Sequence, residues 1–522
     1  MYTRILTIAL SSLLVCSLGL SAQQQPAVTA ADATGKQTDK EQYNEPYRPQ
    51  LHFSPVAHWM NDPNGMVYAG GVYNLFYQYY PGATVWGPMH WGHASSTDLV
   101  HWKQLPVALY PDSLGYIFSG SAVVDSTNTS GFGRDGKIPL VAIFTHHDPK
   151  GEKAGTSNYQ NESIAYSLDQ GLTWTKYAAN PVLKNPGLTD FRDPKVFWYA
   201  PARKWIMTLA TKSDITFYAS PNLKDWTKQS EFGTGLGAHG GVWECPDLFQ
   251  LSLDGRSTWV LIVNLNPGGP NGGSGTQYFT GSFDGVSFTP ASTETRWLDY
   301  GPDEYAGVTW SNTGKRKIFL GWMSNWLYAN LVPTDKWRNA MTVPRELALQ
   351  RADGKVMLTS SPVKELNMLK RDSIVGKDLS IHAGMNLTKD LPVHTGQYEV
   401  KLSTARLATY SVTLSNDSGE ELSLGYDNDK KGYYINRLHS GESAFSKSFA
   451  GVFTAPRLTA DSAHDLTLIV DEASVELFAD RGLTAMTATF FPKTPFTHIS
   501  VRAEKPLELS RFSITTLKSI WK

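Results

Sequence analysis

The chain has 522 residues, with 47 Lys and Arg against 48 Asp and Glu, so its formal net charge is −1. This balance excludes the basic character of a nucleic-acid or anionic-membrane binder. Hydrophobic residues make up 41% and charged residues 18%, which excludes disorder for most of the chain. Two cysteines cannot form a disulfide scaffold or a Cys-based zinc site.

Residues 1–22 have the pattern of a secretory signal peptide. Residues 1–4 carry a positive charge, and residues 5–20 form an uncharged, mostly apolar run. A transmembrane anchor is the first alternative, but the run is short for a span. A lipoprotein signal at Cys16 is the second, although the branched Val15 precedes the cysteine. We therefore expect export to the periplasm, cell surface or medium, and no transmembrane segment after cleavage.

The next part of the chain changes from a tether to a strand-rich region. Residues 23–47 are poor in large apolar side chains and predict a flexible tether. From 48 to 350, short alternating runs broken by Gly, Pro, Asn and Asp predict strands. A weak repeat of a Ser- and Asp- or Asn-containing turn ends in an aromatic residue four times, at Trp102, Trp174, Trp226 and Phe288. Repeats of about 40–60 residues predict a β-propeller, here of four or five blades.

The pattern changes again in the last third of the chain. Residues 351–373 predict a connector containing two turns. Residues 374–522 alternate more cleanly, and strands about 8–12 residues apart predict a β-sandwich. The predicted fold class is all-β, with a propeller followed by a C-terminal sandwich.

Three carboxylates lie in unusual local settings. Asp62 and Asp193 each precede a proline, which holds the backbone extended. The adjacent Arg192 would keep Asp193 ionised. Glu244 stands between a tryptophan and a cysteine, surroundings that would raise its pKa and suit it to donating a proton.

Taken one at a time, these residues also fit ordinary turns or a surface ion pair. Taken together, they match glycoside hydrolysis, which needs one ionised carboxylate and one protonated carboxylic acid flanking the bond. Aromatic residues beside the first and last of these motifs suit a sugar-binding mouth.

Further motifs give the chain a family resemblance. It is similar to glycoside hydrolase family 32, the fructan hydrolases and invertases, over nearly all of the mature chain. The matching motifs are at 52–55, 59–65, 76–78, 86–87, 90–93, 118–121, 192–194, 244–247 and 474–478. The resemblance implies a five-bladed propeller followed by a β-sandwich, and it implies no cofactor.

The resemblance also implies roles for individual residues. Asp62 would be the nucleophile that attacks the anomeric C2 of a fructosyl unit, Glu244 the acid and base, and Asp193 the stabiliser of the transition state. The two working carboxyls of a retaining enzyme lie about 5–5.5 Å apart. The implied substrate-binding residues are Asn61, Gln78, Trp86, Ser119, Gly120, Arg192, Asp303, Trp322 and Trp326. Packing at the propeller mouth is the alternative role for Trp86 and Trp326.

The sequence thus predicts an exported, end-acting β-fructosidase of levan or inulin, and of sucrose. An invertase, an endo-fructanase and a fructosyltransferase are alternatives within the same chemistry. A non-catalytic fructan-binding protein is the alternative from another class. No metal is expected, because the histidines at 90, 93, 146 and 147 lack a third ligand at a recognisable spacing. The glycine-rich stretch 268–273 lacks the Lys-Ser/Thr pair of a phosphate-binding loop.

Overall fold

A computed structural model of the chain describes residues 43–389, 393 and 395–521. The predicted signal peptide and residues 23–42 of the predicted tether lie outside this range. Residues 43–47 do not behave as a tether, which corrects its expected end. Tyr43 stacks on Trp521 with ring centroids 3.7 Å apart, and Glu45 Oε1 pairs with Lys336 Nζ at 2.8 Å. Aromatic stacking and a half-buried ion pair hold this segment on the fold.

The described chain is almost entirely β-structure, and residues 58–362 form five sheets in which all neighbouring strands but one pair are antiparallel. The first sheet contains β1 (His58–Ala69), β2 (Val72–Tyr80), β3 (His90–Ser96) and β4 (Lys103–Leu109). The second contains β5 (Tyr116–Val124), β6 (Leu140–His147), β7 (Gln160–Ser167) and β8 (Thr175–Lys176). The third contains β9 (Phe191–Tyr199), β10 (Lys204–Thr211), β11 (Asp214–Ser220) and β12 (Thr227–Phe232). A short helix, α1 (Pro149–Lys153), joins β6 to β7, and a 3-10 turn, Ala200–Ala202, joins β9 to β10.

The remaining two of these sheets follow the same pattern. The fourth contains β13 (Val242–Leu253), β14 (Arg256–Asn266), β15 (Gly275–Phe283), β16 (Phe288–Pro290) and β17 (Arg296–Trp297). The fifth is built on β18 (Tyr305–Thr309) and β19 (Lys317–Met323), whereas β20 (Trp337–Arg338) runs parallel to β1 in the first sheet. The chain then adds β21 (Ala340–Met341), β22 (Arg345–Ala352) and β23 (Lys355–Pro362) to the fifth sheet.

The first strands of the sheets contact one another in a closed cycle. β1 contacts β5, β5 contacts β9, β9 contacts β13, β13 contacts β18, and β18 contacts β1. Strands that converge on one axis in this way are the arrangement of a β-propeller. Residues far apart in sequence therefore meet near the axis.

The repeated turn predicted from the sequence occupies the same place in the first four sheets. It lies between β3 and β4, β7 and β8, β11 and β12, and β15 and β16. In the first of these turns Ser96 Oγ donates to Asp98 Oδ1 at 3.0 Å, and Asp98 accepts from the backbone beyond it. The fifth sheet turns at Asp353 and Gly354 without this motif, which is why the repeat left the number of blades open.

Residues 370–517 form the β-sandwich, with two sheets of six strands each. One sheet contains β24 (Lys370–Ile381), β26 (Tyr398–Thr404), β31 (His464–Asp471), β32 (Ser474–Ala479), β33 (Thr484–Thr489) and β35 (Leu507–Leu517). The other contains β25 (Gly384–Asn386), β27 (Tyr410–Ser415), β28 (Glu421–Asp427), β29 (Gly432–His439), β30 (Val452–Pro456) and β34 (His498–Ala503). Alternate apolar residues of both sheets, among them Val400, Leu468, Leu424 and Ile499, form the core between them.

The connector is shorter than the sequence predicted. β22 and β23 form a regular hairpin that pairs Arg345 with Pro362 and Ala352 with Lys355, so the fifth sheet extends through residue 362. Only Val363 and a 3-10 helix, Lys364–Leu369, separate it from β24. The turn at 353–354 is a hairpin inside the sheet, which a change of texture in the sequence does not distinguish from a domain boundary.

Buried charges join the propeller to the sandwich. Arg345 Nη1 lies 2.8 Å from Asp299 Oδ2, and its Nε lies 2.8 Å from Glu476 Oε2. His52 contacts Asp471 at 2.7 Å and Glu476 at 2.9 Å. Burial alone lowers the pKa of His52, but its hydrogen bonds to these two carboxylates outweigh that effect and raise it to about 9. Among the described residues, no helix is long and apolar enough to cross a membrane.

Candidate active site

A cavity of about 340 Å³ opens where the first strands of four propeller sheets meet. It is lined by Asn61, Asp62, Gln78, Trp86, Phe118, Ser119, His147, Glu152, Tyr159, Gln160, Asp190, Arg192, Asp193, Glu244 and Trp326. The three carboxylates singled out in the sequence therefore face one space, although 182 residues separate the first from the last (244 − 62).

Asp62 lies at an irregularity in β1, where the pairing with β2 shifts register between Met60 and Pro63. Asn61 Nδ2 donates to Asp62 Oδ1 at 2.9 Å, and Ser119 Oγ donates to Asp62 Oδ2 at 2.8 Å. Both carboxylate oxygens are thus fixed. Burial, and then the charge of Glu244, raise the pKa of Asp62.

Asp193 is held in a left-handed backbone conformation, with φ of 65°. Its N–H donates to Thr145 Oγ1 at 3.1 Å, and its Oδ2 accepts from the backbone N–H of Cys245 at 3.0 Å. The side chain is 6% exposed. Non-glycine residues in this region of φ are strained unless their surroundings hold them, and such strain concentrates at functional sites.

The electrostatics of Asp193 correct one expectation from the sequence. Burial, with the charges of Glu244 and Asp62, raises its pKa to about 7, although Arg192 acts in the opposite direction. Arg192 Nε is 4.0 Å from Asp193 Oδ2. The guanidinium instead donates to Glu244 Oε1, from Nη2 at 2.8 Å and Nε at 3.2 Å, and to Asp190 Oδ1 at 2.5 Å. Although Arg192 is adjacent to Asp193 in the sequence, its side chain points towards the next sheet and makes its hydrogen bonds with other carboxylates.

Glu244 also has surroundings other than those predicted. Its Oε1 accepts from Arg192, and its Oε2 accepts a hydrogen bond from the Tyr305 hydroxyl. Trp243, which was expected to surround it, packs in the hydrophobic core beside Phe232. Successive side chains of a strand point to opposite faces, and this places the indole away from the cavity.

Cys245 connects the two aspartates. Its Sγ lies 3.7 Å from Asp62 Oδ2 and 3.6 Å from Asp193 Oδ2. Burial, and then the nearby carboxylates, raise the pKa of the thiol well above its ordinary value. A neutral thiol separates the two carboxylates without adding a charge to the site.

Several predicted binding residues also line the cavity. Gln78 is buried, and its Nε2 finds no acceptor among the described residues. Trp86 is 40% exposed, and its backbone N–H donates to Asn330 Oδ1 at 2.8 Å. Trp326 stacks on Trp59 with centroids 5.9 Å apart. The cavity wall thus offers a free amide donor and two indole faces.

Three predicted binding residues do not line the cavity. Gly120 lies where a Cβ would come within 2.0 Å of the Ile143 carbonyl oxygen, so close strand approach requires the glycine. Trp322 is fully buried behind Trp326, with centroids 4.9 Å apart. Asp303 is buried between the propeller and the sandwich, where it forms an ion pair with Arg437 and accepts from Thr489 N at 2.8 Å. The contacts that the structure shows for these three residues are with other parts of the protein.

Other cavity residues went unnoticed in the sequence. Glu152 lies in α1, and Tyr159, Gln160 and Asp190 lie at or just before the starts of β7 and β9, where local sequence carries no signal. Tyr305, which bonds Glu244, belongs to β18 and was missed for the same reason. Phe118 belongs to the motif at 118–121 but had been given no role. Among the described residues, no group of three or more His, Cys, Asp or Glu side chains is arranged to hold a metal ion.

Carboxyl side chains that converge on a polar, aromatic-lined cavity of a β-propeller define the class of this protein, a glycoside hydrolase. The chain belongs to glycosyl hydrolases family 32. The model of the family's N-terminal domain matches residues 52–362, and that of its C-terminal domain matches residues 365–516.

Individual relatives agree with this membership. The chain is 46% identical over 496 residues to a levanase from Bacillus subtilis, covering 92% of this chain and 72% of the relative. It is 43% identical to an extracellular exo-inulinase from Aspergillus awamori, covering 87% and 91%. The crystal structure of exo-inulinase from Aspergillus awamori superposes with a TM-score of 0.84 at 39% identity, covering 92% of this chain and all of that one. A β-fructofuranosidase from Schwanniomyces occidentalis complexed with fructosyl-erythritol superposes with a TM-score of 0.83 at 33% identity, covering 92% and 99%.

Proposed function

We propose that this protein is a retaining fructan hydrolase that releases fructose from the ends of levan or inulin chains and also cleaves sucrose. The observation that carries the proposal is the convergence of Asp62, Asp193 and Glu244 on one cavity. The names of the relatives, levanase and exo-inulinase, support the substrate class and the end-wise mode.

In the first half-reaction, Asp62 is the nucleophile. Its carboxylate attacks the anomeric C2 of the terminal fructosyl unit, and the bond from C2 to the leaving oxygen breaks. Glu244 donates a proton to that oxygen, which departs as a hydroxyl group. The fixed carboxylate of Asp62, held by Asn61 and Ser119, supports this role because it loses little freedom on attack.

Asp193 stabilises the transition state. Burial is the largest cause of the raised pKa values of Asp193 and Asp62, and the nearby charge of Glu244 raises both further by giving this space a negative potential. Such a potential favours the positive charge that develops on an oxocarbenium-like sugar, and it acts more strongly where water is excluded.

In the second half-reaction, water enters on the side that the leaving group has vacated. Glu244 removes a proton from this water, whose oxygen attacks C2 while the bond to Asp62 breaks. Two inversions give net retention at C2. A sugar hydroxyl in place of water would give transfer instead, with the same residues.

The remaining parts of the proposal concern architecture and location. The five sheets of residues 58–362 and their closed cycle of first strands support a propeller of five blades. The pattern of residues 1–22, with the word extracellular in the names of relatives, supports export. We place the catalytic domain at residues 48–362 and the sandwich at 370–522.

The test compares Glu244→Ala with the unaltered protein on levan, inulin and sucrose. The variant is expected to lose about 10³-fold in kcat, because a general acid contributes that order of magnitude, while fructose binding measured by calorimetry survives. Unchanged turnover would refute the assignment. The product profile tests the mode, since fructose alone indicates end-wise cleavage, a ladder of oligomers indicates internal cutting, and longer products indicate transfer.

A further inference from the structure

We propose that Glu152, Tyr159 and Asp190 form the binding site for the sugar that leaves, and that their acidity selects an uncharged sugar over a phosphorylated one. This inference rests on the proposed function and extends it to the other side of the scissile bond. All three residues line the cavity and lie outside the residues that fix Asp62.

Arg192 places this group relative to the chemistry. Its guanidinium donates to Glu244 Oε1 at 2.8 Å and to Asp190 Oδ1 at 2.5 Å, so Asp190 lies on the Glu244 side of the cavity. A general acid must face the oxygen that it protonates, and that oxygen belongs to the leaving sugar. The leaving sugar therefore occupies the part of the cavity beside Glu244 and Asp190.

Glu152 lies at the rim of the cavity, and Tyr159 links it to the same part, because the charges of Asp190, Glu152 and Arg192 all act on the Tyr159 hydroxyl. Glu152 belongs to α1, whose first turn is capped by Asp148 Oδ1, which accepts from Lys150 N at 3.0 Å. Its Oε2 lies 3.1 Å from His147 Nε2, and its side chain remains 54% exposed. His147 therefore holds one oxygen of the Glu152 carboxylate in place, while the exposed side chain can still contact a ligand.

Aromatic rings support this rim. The His147 ring stacks on Phe118 with centroids 4.2 Å apart and planes 7° apart, and Tyr159 meets it edge-on at 5.4 Å. Burial lowers the pKa of His147. An imidazole held neutral adds no positive charge to offset Glu152, and the rings give a sugar an apolar surface to pack against.

The charges of the cavity decide which sugar it accepts. Arg192 is the one Lys or Arg among the described residues that line it, and its donors already engage Glu244 and Asp190. Carboxylates accept hydrogen bonds from the hydroxyl groups of a neutral sugar. A phosphate on the leaving sugar would meet Glu152 and Asp190 at close range, where like charges repel.

The test uses substrates that share the fructosyl unit and differ in what leaves: sucrose, methyl β-D-fructofuranoside, and sucrose phosphorylated on its glucose unit. Glu152→Ala is expected to lower kcat/KM for sucrose about tenfold, the worth of a hydrogen bond to a charged group. For methyl β-D-fructofuranoside, whose leaving group has no further hydroxyls, we expect a change within about twofold. Glu152→Lys is expected to raise the phosphorylated-to-unphosphorylated ratio of kcat/KM about tenfold or more.

The control is Lys153→Ala, on the same helix but outside the cavity lining, and it should leave all three rates unchanged. Equal losses on sucrose and the methyl fructoside would overturn the inference, since Glu152 would then act on the fructosyl site or the fold. No loss on either substrate, or an unchanged preference in Glu152→Lys, would overturn it as well. Absence of fructose release by the unaltered protein would instead refute the proposed function.

Discussion

Arg192 donates two hydrogen bonds to one carboxylate oxygen of Glu244, from Nη2 at 2.8 Å and from Nε at 3.2 Å. The two residues stand in β9 and β13, the first strands of successive sheets. The proposed acid and base is thus oriented by a neighbouring blade. Planar, forked donors of this kind fix a carboxylate in direction as well as position.

Replacing Arg192 by lysine keeps the charge and removes the fork. A single ammonium group cannot contact Glu244 and Asp190 with the same geometry, so Arg192→Lys is expected to lower kcat on sucrose about tenfold to a hundredfold. Steady-state kinetics measure this loss. Arg203→Lys, in the exposed turn that follows β9, is the matched control. Equal kcat in Arg192→Lys and its control would show that charge alone suffices.

Tyr305 holds the other oxygen of Glu244. Tyr305→Phe removes the hydroxyl that donates to Glu244 Oε2 and leaves that oxygen without its partner. Because Tyr305 acts through Glu244, we expect kcat to fall about tenfold with KM within about twofold. A change confined to KM would indicate that Tyr305 contacts substrate directly, contrary to its position outside the cavity lining.

The titration of Asp193 is expected to lower the free energy of unfolding as pH rises. Its pKa is raised from 3.8 to about 7, so the folded protein holds this proton more tightly than the unfolded chain does. Between those pH values unfolding releases the proton, and the free energy of unfolding falls with increasing pH. Asp193→Asn removes this titration while its amide oxygen still accepts from the backbone N–H of Cys245. The variant should be inactive and have the higher Tm above pH 7.

Thermal denaturation across the titration range checks this prediction. The Tm advantage of Asp193→Asn should be largest at about pH 8 and should shrink towards about pH 4, where Asp193 is protonated in the folded state. An advantage that does not vary with pH would point to packing rather than to charge. The same trade of stability for function is common where like charges are gathered in an active site.

The ion pairs beneath the sandwich give a prediction about stability alone. Arg345→Met leaves Asp299 buried without its cation and Glu476 with His52 as its one remaining cationic partner among the described residues, and we expect the free energy of unfolding to fall by about 3–5 kcal/mol. Arg351→Ala, in the same strand, breaks an exposed pair with Asp254 and should cost less than about 1 kcal/mol. Denaturant titration of both variants measures the difference. Similar losses in the two would mean that the buried network is not what joins the domains.

Much of the fold could be predicted because its signals are local. The turn at Ser96 and Asp98 recurs in successive blades, since each blade must reverse its chain between the third and fourth strands. The residue at which the propeller ends was harder to predict from the sequence. Residues 353–354 turn a hairpin inside the last sheet, and a hairpin turn has the same composition as a linker.

For the site, the sequence by itself determined which three carboxylates were singled out, Asp62 and Asp193 before proline and Glu244 within its own motif, and the structure brings all three to one cavity. Only the tertiary structure decided their partners. Arg192 donates to Glu244 rather than to Asp193. Asp303 pairs with Arg437 rather than facing the cavity, and Tyr305, from another strand, bonds Glu244. The type of each side chain and the local preference of the backbone can be determined from a short stretch of sequence. Hydrogen-bond partners and electric potential depend on distances through space, and blade closure sets those distances between residues far apart in the chain.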